Sequence, residues 1–290
     1  MHDNMMSQMN YLTSDKICDQ VYVNIKKVTD LWQSKPHLAV ILVGEHPASL
    51  RFIAHKKKQA SLLGFGFSLI NLSSNCLEEE VYDLINLLNK DKKVSGILIQ
   101  LPLPKSFNTW QITQAIDPNK DVDCLGAFRM GQFLINAYKV LPGTAQAIRL
   151  LCNHYNISVI GRNVLIIGSS NLVGKPAAIW FSQQEATVTI SNLKTTNLEQ
   201  LVKNNTIIVC ATGAANAVNE SWLNRHHIII DIGTRIKNSK VYGDLNHETA
   251  SKIVNQITPV PGGIGPLTVA ALMMNLTILN PQYGNNDEIF

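Results

Sequence analysis

The sequence predicts an α/β protein with two domains, each built around a mostly parallel sheet. The first observation is that short apolar runs alternate with longer helical stretches, which is typical of parallel α/β units. The second is that this alternation starts again in the second half of the chain, with the boundary expected between Ala115 and Gly143. The third is length, because 290 residues at about 150 per domain gives two domains.

The first half contains three strand–helix steps. Ser14 is placed to cap a first helix that runs to about Gln33. Leu38–Val43 is a continuous apolar run, which fits a buried strand. The next predicted elements are a helix over Ser49–Leu63, a strand over Phe67–Leu72, a helix over Leu77–Asn89 and a strand over Gly96–Gln100. Pro102 and Pro104 end this last strand, because proline cannot donate to a ladder.

The second half repeats the alternation around a second predicted sheet. Predicted helices cover Thr144–Tyr155, Pro176–Gln184, Leu198–Lys203, Ser221–Asn224 and Thr268–Leu279. Predicted strands cover Asn163–Ile167, Thr187–Ile190, Thr206–Ala211, His227–Ile232 and Val241–Gly243. Together these elements predict an open doubly wound layer in the C-terminal half.

Composition excludes several classes of function. A net charge of +4 over 290 residues is too small to indicate a nucleic-acid or membrane-surface binder. The basic run Lys56–Lys58 reads, on charge alone, as a solvated helix face. The five cysteines form no Cys-x-x-Cys pair, which favours a reducing compartment and argues against a disulfide framework or a zinc site. With no apolar run near 18 residues and no signal peptide, we expect a cytoplasmic protein without a metal.

A glycine turn after the fourth predicted strand points to a dinucleotide. Val164–Ile167 runs into Gly168, and Gly174 precedes a helix with Pro176 in its first turn. The spacing differs from Gly-x-Gly-x-x-Gly, so an ordinary strand–helix turn stays open as an alternative. No carboxylate follows about 20 residues on, which disfavours strict NAD use and leaves room for a 2′-phosphate. Lys175 and Lys194 are candidates to contact it, or are surface lysines.

Five sequence blocks in order carry a family resemblance. They are Pro47-Ala48-Ser49 with Lys56, Gly96–Pro104, Lys120–Asp123, Gly168–Pro176 and Thr258–Thr268. The sequence Gln-Leu-Pro-Leu-Pro and the sequence Pro-Gly-Gly-x-Gly-Pro are the most specific parts. With these blocks the chain, from about Tyr11 to Leu279, resembles the bifunctional methylenetetrahydrofolate dehydrogenase/cyclohydrolase family.

The resemblance implies an architecture and a reaction. It implies a folate-side α/β domain over residues 1–140, a Rossmann NAD(P)-binding domain over residues 141–267, and a final helix within 268–290 that packs back on the first domain. The active site is expected in the cleft between the domains, and the subunit is expected to form a homodimer through its Rossmann domains. The family oxidises 5,10-methylenetetrahydrofolate with NADP⁺ (some members use NAD⁺) and hydrolyses the methenyl cation to 10-formyltetrahydrofolate.

The resemblance also assigns roles to residues. Lys56, Gln100 and Asp123 match the catalytic positions. The expected folate contacts are Phe52, Lys56, Gln100, Leu101, Asp123, Pro261, Gly262 and Gly263, and the expected cofactor contacts are Gly168, Ser169, Ser170 and Thr234. Adding water to the methenyl carbon needs a proton acceptor near pH 7, and a partly buried lysine beside a cation should have a lowered pKa.

The neighbours of the lysine have expected roles as well. Gln100 is expected to accept a hydrogen bond from Lys56 and orient it, and Asp123 to receive the donors of the pterin edge. Asp121 is expected to cap the following helix. A surface lysine and an ordinary polar strand end are the alternatives for the first two.

Several positions depart from the family pattern. Phe52 stands where a tyrosine is usual, and Cys124 replaces a glycine. The segments Pro142–Ala147 and Gly213–Ala215 differ from the usual motifs, and Ser169 and Leu193 occupy positions where arginine and serine are common. A paralogue with weakened or lost cyclohydrolase activity, or a non-catalytic folate- or nucleotide-binding subunit, therefore stays open. A Rossmann dehydrogenase for a hydroxy acid lacks support, because no histidine and carboxylate pair stands in a recognisable position.

Overall fold

The computed structural model describes residues 11–237 and 240–284 in two compact units. The three-strand unit comprises residues 19–143 and 269–284, and the five-strand unit comprises residues 11–18 and 144–268. The unit boundaries fall at Cys18/Asp19, Gly143/Thr144 and Thr268/Val269. Each unit contains its own parallel sheet and its own buried core.

The three-strand unit has a parallel sheet in the order β2-β1-β3. Its elements are α1 (Asp15–Thr29, which starts in the other unit), β1 (His37–Val43), α2 (Pro47–Leu62), β2 (Gly66–Leu72), α3 (Glu78–Lys90), β3 (Gly96–Ile99), α4 (Thr109–Gln114) and α5 (Ala127–Leu134). Every residue of β1 after its first is buried, as expected for a central strand covered on both faces. Val81, Ile85 and Leu88 on α3 recur at helical spacing and pack into the core that contains Ile41.

The five-strand unit has an all-parallel sheet in the order β10-β7-β6-β4-β5 and a separate hairpin. Its elements are α6 (Gly143–His154), β4 (Asn163–Ile167), α7 (Gly174–Gln183), β5 (Thr187–Ser191), α8 (Leu198–Asn204), β6 (Ile207–Cys210), β7 (Ile228–Asp231), β8 (Arg235–Lys237), β9 (Lys240–Tyr242), α9 (His247–Ala250), β10 (Gln256–Ile257) and the start of α10 (Ile264–Leu279). The chain passes from β5 across β4 to β6, so the direction of winding reverses between β4 and β6. Such a reversal opens a crevice at the carboxyl ends of the two strands.

Backbone pairing explains why residues 11–18 group with the five-strand unit. Tyr11 forms a parallel bridge with Ile257, and the amide of Leu12 donates to the Ile257 carbonyl at 2.8 Å. The hydroxyl of Tyr155 donates to the carbonyl of Thr13 at 2.9 Å. The segment therefore extends the sheet edge at β10.

Most predicted elements are present within a few residues of their expected bounds, and four differences are informative. The predicted helix over Ser221–Asn224 is wrong, because the segment forms one 3₁₀ turn over Glu220–Trp222 and then becomes extended. The last helix begins at Ile264, four residues before the predicted start, because proline is tolerated in a first helical turn. The first helix ends at Thr29, before the predicted Gln33. The strand predicted at Val241–Gly243 is the second half of a hairpin.

Five short elements were not predicted. They are the helices α4, α5 and α9 and the strands β8 and β10. Within the described ranges, no helix is both long and apolar enough to cross a membrane, and no three His, Cys, Asp or Glu side chains are arranged to hold a metal ion.

Candidate functional site

Lys56 and Gln100 meet at the carboxyl end of the three-strand sheet. Lys56 lies on α2, and Gln100 follows β3, where its amide nitrogen extends the ladder by donating to the carbonyl of Ile41 at 2.8 Å. The Lys56 Nζ donates to Gln100 Oε1 at 2.9 Å. Gln100 Nε2 donates to the Leu101 carbonyl at 2.9 Å, which holds the amide oxygen toward the lysine. The predicted hydrogen bond between lysine and glutamine is thus confirmed.

The surroundings of Lys56 alter its basicity in opposite directions. Burial lowers the pKa of the Lys56 ammonium, and the attraction of Asp123 raises it by a smaller amount. Burial raises the pKa of the Asp123 carboxyl, and Lys56 opposes that shift. The net effect on the lysine is a pKa below its usual value, so a larger fraction of the amine is neutral near pH 7.

Asp121 and Cys124, on either side of Asp123, determine the conformation of its segment. The carboxylate of Asp121 accepts hydrogen bonds from the amides of Leu125 at 3.3 Å and Gly126 at 2.8 Å, just before α5 begins. Burial raises the pKa of Asp121 to about 6, and the Gly126 amide opposes the shift. Cys124 is fully buried with φ of 55°, a conformation that favours glycine. Burial raises the pKa of its thiol well above the usual value, so the group stays protonated.

Phe52 lies one helical turn before Lys56 on α2. Its side chain is 40% exposed, so the ring presents an open apolar face in the same unit as Lys56, Gln100 and Asp123. The structure therefore brings the predicted folate contacts Phe52, Lys56, Gln100, Leu101 and Asp123 into one unit.

The glycine turn after β4 has the tight geometry that a pyrophosphate site requires. Gly168 has φ of 124°, and a Cβ added there would lie 2.3 Å from the carbonyl oxygen of Ala211. A Cβ added to Gly174 would lie 1.9 Å from the carbonyl oxygen of Gly168. Both positions therefore need glycine, and the start of α7 can approach the sheet closely. These residues fit a dinucleotide at the N-terminus of α7.

The polar residues of the turn have partners in the protein. Ser170 Oγ accepts from the amides of Val173 at 3.2 Å and Gly174 at 3.5 Å. Lys175 Nζ donates to the side chain of Asn171 at 2.6 Å. Ser169 and Lys194 are exposed. The second predicted cofactor segment, at Thr234, follows β7 at the same edge of the sheet, and Thr234 Oγ1 donates to the Ile232 carbonyl at 3.4 Å.

The loop over Pro261–Gly263 is tied to the start of α1 within the five-strand unit. Gly262 has φ of 101°, and its carbonyl accepts from the amide of Ser14 at 2.9 Å and from the Ser14 hydroxyl at 2.7 Å. A Cβ added to Gly263 would lie 2.5 Å from the carbonyl oxygen of Pro259. Ser14 was expected only as a helix cap, and its contact with a loop 248 residues away has no local sequence signal.

Two further sets of buried polar residues were not predicted. The Asn275 amide donates to the carbonyl oxygens of Val122 at 2.9 Å and Leu141 at 2.7 Å, from within the largely apolar α10. Asp231 and Asp244 are fully buried at the carboxyl edge of the five-strand sheet. A polar residue within an apolar helix, such as Asn275, indicates from sequence that a buried hydrogen bond is present. The partners of such a residue depend on the fold.

The crevice, the glycine turn and the half-buried lysine define a class of protein, an α/β enzyme with a dinucleotide-binding unit. Two family models match the chain. Residues 142–282 match the tetrahydrofolate dehydrogenase/cyclohydrolase NAD(P)-binding domain, and residues 12–123 match the catalytic domain of the same family.

Individual relatives agree with the family models. The bifunctional protein FolD of Acetivibrio thermocellus is 38% identical over 265 residues, which is 90% of this chain and 92% of that protein. The crystal structure of the bifunctional enzyme FolD from Campylobacter jejuni superposes with a TM-score of 0.89 at 32% identity, covering 94% of this chain and 98% of that one. The FolD of Trypanosoma brucei, complexed with NADP cofactor and an inhibitor, gives a TM-score of 0.85 at 28% identity, with 92% and 94% covered.

These matches span nearly the whole chain and both units. This chain belongs to the tetrahydrofolate dehydrogenase/cyclohydrolase family. The predictions of the family, of the two-domain α/β fold and of an NAD(P)-binding domain are confirmed.

Proposed function

We propose that the chain oxidises 5,10-methylenetetrahydrofolate with NADP⁺ and then hydrolyses the 5,10-methenyl product to 10-formyltetrahydrofolate. The observation that carries this proposal is the half-buried Lys56, held by Gln100 at 2.9 Å, in a chain that also has the glycine turn of a dinucleotide site. The lysine serves the hydrolysis, and the turn serves the oxidation. One chain thus contains the groups that both steps need.

The oxidation depends on alignment of two bound partners. Gly168 and Gly174 let the backbone at the start of α7 approach the pyrophosphate, and Ser169, Ser170 and Thr234 supply polar contacts at the same edge. A bound nicotinamide would supply the acceptor for the hydride that leaves the one-carbon group of the folate. The protein has no proton to move in this step, so positioning supplies the rate enhancement, for which about 7–11 kcal/mol is available in good geometry.

The hydrolysis depends on Lys56 in its neutral form. A water oxygen bonds to the methenyl carbon while its proton passes to the Lys56 amine. The bond from that carbon to the ring nitrogen N5 then breaks as N5 receives the proton from the lysine. The new hydroxyl gives its own proton to the regenerated amine and becomes the formyl carbonyl, so one proton is released overall. General base catalysis of this kind contributes about 10²–10⁴-fold. The lowered pKa of Lys56 and the fixed Gln100 oxygen both support this role.

The other substrate contacts follow from their chemistry. Asp123 is proposed to accept the paired donors of the pterin edge, a planar arrangement suited to a carboxylate. Phe52 offers its exposed ring for stacking. Leu101, which is partly buried against the core of the three-strand unit, is proposed to add an apolar contact beside Gln100. The backbone at Pro261, Gly262 and Gly263 is proposed to contact the folate, since glycine there lets a ligand approach closely.

NADP⁺ is the proposed cofactor, although NAD⁺ is used by some enzymes of this kind. The described loop after β5, at residues 192–195, contains Lys194 and no carboxylate. A carboxylate at this place would bond the ribose 2′-hydroxyl of NAD⁺ and repel a 2′-phosphate. The T. brucei relative with NADP bound supports the same choice.

We also propose a cytoplasmic homodimer that forms through the five-strand unit. In the described part of this unit, β5 forms an edge of the sheet, and Ile190 on β5 is 50% exposed. All five cysteines are free thiols, which fits a reducing compartment. Analytical ultracentrifugation of the purified chain tests the dimer, and a monomer at micromolar concentration would contradict it.

A methenyl absorbance assay with each cofactor tests the proposed reaction. Purified protein with methylenetetrahydrofolate should build methenyl absorbance with NADP⁺ and more slowly with NAD⁺. Supplied methenyltetrahydrofolate should lose absorbance faster than it does in buffer. Lys56→Met should abolish the second activity, and Lys57→Met, an exposed neighbour on the same helix, should leave both unchanged. Tight folate binding without turnover would instead identify a non-catalytic subunit.

A further inference from the structure

Asp244 joins the loop after β6 to the segment that follows the β8–β9 hairpin. Its Oδ2 accepts from the Thr212 amide at 2.7 Å, from the Thr212 hydroxyl at 2.8 Å and from the Gly213 amide at 3.3 Å. The same Thr212 hydroxyl accepts from the amide of Ala214 at 3.0 Å. One buried carboxylate oxygen thus sets the backbone of three consecutive residues.

Asp231 fixes Asp244 in turn. The Asp231 carboxylate at the end of β7 accepts from the amides of Gly233 at 3.0 Å, Asp244 at 2.9 Å and Leu245 at 3.2 Å, and lies 2.9 Å from His247 Nε2. Both carboxylates are fully buried. A Cβ added to Gly233 would lie 1.9 Å from Asp244 Oδ1, so the Gly233 backbone packs directly on this carboxylate.

The position of the hydrogen bonds of Asp231 and Asp244 in the sheet suggests their role. The direction of winding reverses between β4 and β6, and ligands of open α/β sheets bind in the crevice at such a reversal. Gly168 and Ala211 face each other across it, since a Cβ on Gly168 would lie 2.3 Å from the Ala211 carbonyl oxygen. The residues that Asp244 holds come next in the chain.

One oxygen of the Asp244 carboxylate takes no part in holding the loop. Its Oδ1 is buried and has no hydrogen-bond partner among the described residues. An unpaired buried oxygen is costly, so this carboxylate is kept at a cost to stability. A charged acceptor gives stronger bonds to the loop amides, about twice those of a neutral acceptor.

We propose that Asp244 is a positioning residue for the dinucleotide, and that its carboxylate fixes the loop at residues 212–214 as one wall of the crevice between β4 and β6. This inference rests on the proposed NADP⁺-dependent activity. Asp244 acts through the loop and needs no contact with the cofactor. Asp231 has a supporting role, because it orients Asp244.

Dinucleotide affinity of matched variants tests the proposal. Asp244→Ala should raise the Kd for NADP⁺, measured by calorimetry, on the order of tenfold, which corresponds to the loss of about one net hydrogen bond. Asp244→Asn keeps one acceptor oxygen and should raise it only on the order of threefold, since neutral bonds are about half as strong. Thr212→Val should fall near the asparagine variant. The KM for methylenetetrahydrofolate should not change.

Two controls separate positioning from loss of stability. Val202→Ala removes core volume in the same unit, and Glu248→Ala removes an exposed carboxylate from the same segment. Val202→Ala should lower the melting temperature without changing the Kd for NADP⁺. In the free protein, the Thr212 and Gly213 amides should exchange hydrogen faster in Asp244→Ala, relative to the amides of β6, but not in Val202→Ala.

Each result then has one meaning. Wild-type affinity in Asp244→Ala, or an equal loss of affinity in Val202→Ala, would overturn the positioning role and leave the proposed function intact. A wild-type protein that binds neither NADP⁺ nor NAD⁺ would overturn the proposed function, and the positioning role with it.

Discussion

Gln100→Glu should shift the pH dependence of methenyl hydrolysis to higher pH. The substitution keeps an acceptor oxygen beside Lys56 Nζ, 2.9 Å away in Gln100, and adds a negative charge, while an oxygen replaces the Nε2 donor to the Leu101 carbonyl. A nearby negative charge stabilises the ammonium, so the pKa of Lys56 rises and less neutral amine is present at a given pH. The sign is therefore a loss of activity on the acid side of the profile and recovery as the pH rises.

The size of the shift follows from the separation. Two unit charges at about 4 Å interact by about 4 kcal/mol at an effective dielectric constant near 20, which equals about 3 pKa units. Gln100 is only 8% exposed, so the new carboxylate also loses hydration and part of this energy is offset. We therefore expect a rise of about 1–2 units, within the range of about 1–3 units for close pairs. The hydrolysis rate near pH 7 should fall about 10- to 100-fold.

The assay is the loss of methenyl absorbance across pH, corrected for hydrolysis in buffer alone. Gln111→Glu, on the exposed face of α4, makes the same change in net charge and should leave the profile unchanged. The dehydrogenase rate, which needs no base, should change much less than the hydrolysis rate. An acid limb at the wild-type position in Gln100→Glu, with the fold intact, would refute the role of neutral Lys56.

Three further predictions concern other parts of the chain. Phe52→Tyr restores the usual hydroxyl beside the lysine and should raise the hydrolysis rate more than the dehydrogenase rate in the same absorbance assay; equal effects would count against a role for the hydroxyl. Asn275→Leu leaves two backbone carbonyls without their donor and should lower the free energy of unfolding in urea by about 2–5 kcal/mol. Gly174→Ala places a Cβ 1.9 Å from the Gly168 carbonyl oxygen and should abolish NADP⁺ binding in calorimetry. Gly131→Ala, with open space at its Cβ, should leave that binding unchanged.

Continuous apolar runs made the central strands predictable from sequence. The bounds of β4 match the prediction, and those of β1 differ by one residue. The short elements had weaker signals. Helix α4 has six residues, and its cap, Asn108, which accepts from the amide of Gln111 at 3.2 Å, is one polar residue among many. Strand β10 has two residues and exists only because it pairs with β7, far away in sequence. A strand that depends on long-range pairing has no local sequence pattern that predicts it.

The residues of the candidate site also differ in how well the sequence predicts them. The glycine turn was readable because Gly168 and Gly174 obey a local steric rule, and the structure shows the close approach at both. Lys56 in its basic run looked like a solvated lysine, and only the resemblance singled it out. The partners of Ser14, Asn275 and Asp244 could not be predicted, because the fold brings each residue to its partner, across as many as 248 residues.

The pKa of Lys56 depends on the bound substrate as well as on burial and on Asp123. Burial lowers the pKa of Lys56, and the attraction of Asp123 opposes part of that shift. The oxidation creates a cation on the folate, and a positive charge near the lysine disfavours the ammonium. In the proposed mechanism, the first reaction thus favours the neutral base that the second requires. When water adds, the positive charge of the substrate is lost, so the lysine can hold the proton that it takes from the water until N5 receives it. Gln100 serves both states, because its oxygen accepts from the amine and from the ammonium alike.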